Sequence, residues 1–84
     1  MMRSERTVVA KLVKAYLLGH QGVTARKITD WLVVSDFGLY GSYTLPKVVR
    51  LIGDYVRLRE SVGGYDWFNV VVDTSVSPSR YYVR

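Results

Sequence analysis

The chain has 84 residues, 49% of them hydrophobic and 13% aromatic, and it contains no cysteine. These values exclude a disulfide-stapled scaffold and argue against disorder, so apolar burial has to stabilise a single domain near the lower size limit for independent folding. Twelve Lys and Arg against seven Asp and Glu leave a net charge of +5, which favours a polyanionic partner without specifying one.

No stretch approaches an uninterrupted membrane-spanning length. The opening MMRSERTVVAKLVKAYLLGH threads Arg, Glu and Lys through its apolar positions, unlike a signal peptide. With no cysteine to oxidise, the expectation is a soluble cytoplasmic protein with no membrane association.

A first helix is predicted over about 4–18, with Ser4 as N-cap and Gly19 as stop. Val8, Val9, Leu12, Val13, Ala15 and Tyr16 recur at helical spacing, and Ala10 and Leu17 widen the stripe. Thr7, Lys11 and Lys14 share the opposite face and read as solvated, and Arg3 and Arg6 fall at a fraying end. After the GHQG turn a second helix spans about 24–34, capped by Thr24, with Ala25, Ile28, Trp31 and Leu32 on one face and Val23 free to make an isolated strand pairing.

The stretch SDFGLYGSY is a loop longer than the usual connection. A third helix over about 45–59 opens on Thr44, Leu45 and Pro46, a cap followed by proline in the first turn. Leu45, Val48, Val49, Leu51, Ile52, Tyr55 and Val56 form its apolar side, and Lys47, Arg50, Asp54 and Arg57 a polar stripe, with Gly53 at the edge where another backbone has room to approach. The runs YDWFNVVVD and RYYVR, joined by TSVSPS, predict a hairpin with strands over about 65–72 and 80–84. Tyr81 and Val83 face the core and Arg80, Tyr82 and Arg84 face water; Phe68, Val70 and Val72 face inward unless a bulge shifts the register.

Helix, short strand, helix, loop, helix and hairpin, in that order, resembles a winged helix-turn-helix domain. VTARKITDWL stands as its second helix, TLPKVVRLIGDYVRL as its recognition helix and YDWFNVVVDTSVSPSRYYVR as its wing. The expected class is α+β, three helices followed by a C-terminal β-hairpin wing. Two departures stand out: the loop before the third helix is longer than a tight turn, and Asp54 sits within the polar stripe, where phosphate repels a carboxylate unless it pairs with Arg50 or Arg57 or accepts from a cytosine amino group.

The resemblance implies double-stranded DNA as partner, and a transcriptional regulator as function. Arg50 is the first choice for reading a guanine edge, Lys47 with Ser42, Tyr43 and Thr44 for holding a phosphate at the helix start, and Arg57 for extending the contact. Arg26 and Lys27, in the first turn of the second helix, reach the phosphate backbone in that arrangement; the plain alternative is surface cations kept for solubility. Ser77, Ser79 and Arg80 would lie along the wing, with Arg80 either entering a minor groove or guarding an edge strand. A homodimer reading half-sites about 34 Å apart is the expected route to useful affinity, through the first helix or the hairpin.

Two other classes stay open: a protein-interaction module on the same scaffold, and a DNA-coating or single-strand-binding protein using Trp67 and Tyr82 as stacking surfaces. An enzyme is not expected. His20 is the sole histidine, in a turn, and Asp30, Asp36, Asp54, Glu60, Asp66 and Asp73 are scattered. No cofactor, metal or small-molecule ligand is expected.

Overall fold

Capping and apolar spacing place three helices, and long-range pairing adds a sheet. In a computed structural model, which describes residues 5–35 and 43–84, the elements are α1 (Glu5–Gly19), β1 (Val23–Thr24), α2 (Ala25–Val34), α3 (Leu45–Ser61), β2 (Val70–Asp73) and β3 (Arg80–Val83). Among the described residues these make a small α+β domain of three helices and a three-stranded antiparallel sheet. The expected N-cap Ser4, and most of the loop before α3, lie outside the described residues. Among the described residues no helix is long and apolar enough to cross a membrane.

Both expected threonine caps form. The Thr24 side chain accepts from the Lys27 amide and that of Thr44 from the Lys47 amide, with Pro46 in the first turn of α3. Each cap satisfies a backbone N–H that has no partner inside its helix. Within α2 the buried Thr29 hydroxyl is also satisfied, donating to the Ala25 carbonyl at 2.8 Å.

The sheet order is β1-β3-β2. Thus β3, the last strand in the chain, is the central one, and Arg80 does not guard an edge. Val23 pairs with Tyr81 and Thr24 with Arg80, which builds β1 from the isolated pairing expected at Val23. The hairpin register runs without a bulge from Val70↔Val83 to Asp73↔Arg80. Gln21 extends the pairing with its side chain: Oε1 accepts from the Val83 amide at 2.8 Å and Nε2 donates to the Val83 carbonyl at 3.3 Å.

The first hairpin strand is shorter than expected. Phe68 lies before β2, its amide bonded to the Tyr65 carbonyl in a turn, yet it is fully buried. Val72 shares the inward face with Val70, yet it is 40% exposed while Val70 is fully buried.

The core consists of Val9, Ala10, Val13 and Leu17 from α1, Ile28 and Leu32 from α2, Val48, Leu51, Ile52 and Tyr55 from α3, and Phe68, Val70 and Tyr81 from the hairpin region. The wide stripe of α1 is therefore rotated from the expected one. Ala10 and Leu17 lie at its centre and Ala15 is exposed. Thr7 and Lys14 are not solvated either: Thr7 Oγ1 shares a 2.8 Å hydrogen bond with Tyr55 Oη, and Lys14 Nζ donates to the Trp67 carbonyl at 2.7 Å.

Candidate nucleic-acid interface

Burial of Val48, Leu51, Ile52 and Tyr55 fixes the rotation of α3. With 3.6 residues per turn, the side opposite that seam carries Pro46, Val49, Arg50, Gly53 and Arg57, spaced i, i+3, i+4, i+7 and i+11. Leu45 and Val49, expected in the core, are 37% and 43% exposed. The apolar stripe read from the sequence was wider than the seam its neighbours can cover.

The cations on this helix have different fates. Arg50 is exposed and makes no hydrogen bond or ion pair among the described residues. Arg57 is bound through Nη2 to Asp54 Oδ1, and Asp54 Oδ2 accepts from Arg6 Nη2 at 2.8 Å. Arg6 is thus anchored rather than frayed, and Asp54 joins α1 to α3. Its carboxyl is held below the ordinary aspartate range, first by the Arg6 hydrogen bond and then, against partial desolvation, by Arg57. Among the described residues no other backbone approaches Gly53: a Cβ there would meet the Arg57 guanidinium, at 3.6 and 4.0 Å.

On one flank of α3, a hollow of about 450 Å³ separates it from α1, lined among others by Arg6, Val13, Tyr43, Lys47, Arg50 and Asp54. Lys47 is exposed at this side, while the Tyr43 ring packs against the core and the Thr44 hydroxyl is engaged in its cap. Ser42 lies outside the described residues.

On the other flank, the start of α2, the first half of α3 and the return of the hairpin meet around a groove of about 310 Å³. Ala25, Arg26, Leu45, Val49, Pro78 and Ser79 line it, with Thr24 and Tyr81. Residues far apart in the chain are brought together here. Arg26 and Lys27 are both exposed, and their side chains make no hydrogen bond or ion pair among the described residues.

The hairpin tip is shaped by Asp73, whose Oδ1 accepts from the Ser75 amide at 2.9 Å and from its hydroxyl at 2.5 Å. These two bonds, the hydroxyl's first, lower the Asp73 pKa. Ser77 is exposed and Ser79 half-buried. Arg80, expected to point at a partner, donates through Nη1 to the Gly22 carbonyl at 3.0 Å.

Further cations also serve the fold. Lys14 is bound to the Trp67 carbonyl, Lys11 lies 5.6 Å above the Trp67 ring, and Arg59 Nη1 donates to the carbonyls of Phe68 at 2.9 Å and Val70 at 2.7 Å. Nothing at Arg59 in the sequence marks it, because its partners follow in a turn and a strand whose path local spacing does not reveal. Trp67 packs on Tyr55 and Phe68, and Tyr82 lies close to Gly22. Among the described residues no ring contact joins Trp67 to Tyr82 as one stacking platform. His20, expected as a plain turn residue, stacks on Tyr16 at 4.2 Å and donates through Nδ1 to the Tyr16 carbonyl. Tyr16 in turn stacks on Trp31 at 4.7 Å.

No protein-family model matches the chain, and neither a curated protein nor a solved structure is found to be significantly similar to it. Its geometry defines a small basic α+β domain with a cationic, partly apolar face built from α2, α3 and the hairpin base.

Proposed function

We propose that the chain is a sequence-specific double-stranded DNA-binding protein of the winged helix-turn-helix type, an intracellular transcriptional regulator without catalytic activity. The observation that carries this reading is the outward stripe of α3, with Arg50 exposed, bordered on one flank by the cationic start of α2 and the hairpin base at Pro78 and Ser79. A helix fits the major groove, and a guanidinium at mid-helix matches the guanine O6 and N7 acceptors. Arg26, Lys27 and Lys47 would hold phosphates, and Ser77 and Ser79 would meet the backbone from the hairpin. Arg57 adds its charge once Asp54 releases it, and Tyr43, Thr44 and Arg80 support the site by packing, capping and tethering.

A homodimer is part of the proposal, because one helix reads too short a site for useful affinity. Leu18, Val33 and Val34, each more than half exposed, offer apolar surface for it.

The test is duplex binding across salt. With about three or four phosphates contacted, log affinity falls against log salt with a slope of about −3 to −4. Arg50→Ala should cost about 1–3 kcal/mol and relax sequence preference. No duplex bound at low salt would remove the reading. Salt-insensitive capture of a protein partner by the apolar groove would favour the interaction-module alternative.

A further inference from the structure

We propose that Val49 reads the 5-methyl group of a thymine next to the guanine contacted by Arg50. The inference rests on the DNA-binding reading and adds what the bound sequence contains.

Val49 precedes Arg50 on the outward stripe of α3, and it is 43% exposed although the helix has a well-covered seam on its other side. Beside it lies the groove of about 310 Å³, whose walls include the apolar Ala25, Leu45 and Pro78. Arg26 lines the same groove, whereas Arg50, the next residue and about 100° further round the helix, borders the hollow on the other flank of α3. A polyanion laid along the outward side of α3 would meet Arg26 at the groove and Arg50 beyond it, and would offer an apolar group to Val49. On the major-groove edges of B-DNA the thymine methyl is the apolar group that projects. Val49 and Arg50 project about 100° apart on the side of α3 away from its buried seam, so the helix laid in a major groove would present both to neighbouring base pairs. Gly53, one turn on, carries no side chain that would hold the helix away from the base edges.

The experiment selects bound duplexes from a random library, then replaces each thymine of the selected site by deoxyuridine, which lacks only the methyl group. One substitution next to the Arg50-dependent guanine should weaken wild-type binding about fourfold, the value of one buried methyl-sized group. Val49→Ala should bind the thymine and deoxyuridine duplexes equally while keeping the guanine preference, and Val49→Thr, which retains a methyl, should keep the discrimination. If Val49→Ala does not fold, the wild-type comparison decides alone. Equal wild-type affinity for thymine and deoxyuridine at every position overturns the proposal and leaves DNA binding standing. Absence of any duplex binding at low salt overturns both.

Discussion

Arg80 and Gly22, 58 residues apart, are joined by a 3.0 Å hydrogen bond from the arginine guanidinium to the glycine carbonyl. The cation at the base of the hairpin tip therefore ties the central strand to the turn before β1. Removing it should act on stability before it acts on binding. For Arg80→Ala we expect a loss of about 1 kcal/mol in chemical denaturation, with DNA affinity kept within about twofold. A tenfold loss of affinity in a folded variant would mean that Arg80 leaves Gly22 for the nucleic acid.

Gly22 itself has φ +78°, and a Cβ there would stand 3.2 Å from Tyr82 Cε2. Left-handed backbone costs a side-chain-bearing residue about 1–2 kcal/mol. Gly64 also has positive φ, at +94°, but faces open space. Gly22→Ala should lower the melting temperature more than Gly64→Ala does, and the difference isolates the clash with Tyr82. Equal shifts would show that Tyr82 moves aside freely.

Asp54 holds Arg6 and Arg57 together, so its neutralisation should have opposite effects on binding and folding. In Asp54→Asn one negative charge leaves the helix that would meet DNA and Arg57 is released, so affinity for duplex rises, most at low salt. Folding loses an ion-pair link between α1 and α3. The Asp54 pKa is lowered in the folded state. Its contribution is therefore fully present above the ordinary aspartate value of about 4 and lost as pH falls through the lower folded value. Denaturation measured from pH 6 downward should show a shallower acid loss in the variant than in the wild type.

Arg59 is 12% exposed at its side chain and bonds the carbonyls of Phe68 and Val70 from the last turns of α3. Arg59→Met keeps apolar packing but leaves two carbonyls without this donor, at a cost of about 1–3 kcal/mol. By contrast Arg26→Met, at an exposed position, should leave the denaturation midpoint nearly unchanged and weaken DNA binding. Equal stability of the two variants would refute this division of the cations into structural and interfacial.

The helices were legible because their signals are local. Thr24 and Thr44 each precede an apolar periodic run, and a hydroxyl three residues before a helical amide caps it whatever the rest of the chain does. The hairpin was legible for the same reason, from β-branched and aromatic runs around a Ser-Pro tip. Element order and an α+β class follow from those signals alone.

What one stretch does to another was not legible. Which flank of a wide apolar stripe is covered depends on the neighbours packed against it, so Leu45 and Val49 read as core and stand exposed, while Ala10 and Leu17 read as margin and lie at the centre. The same holds for charge. All the described cations look alike in the sequence, yet Arg6 and Arg57 meet Asp54, Lys14 and Arg59 meet backbone carbonyls, Arg80 meets Gly22, and Arg26, Lys27 and Arg50 keep their charge for solvent. Periodicity sets the side of a helix that is apolar; only the packing of distant segments brings a particular donor within about 3 Å of a particular acceptor.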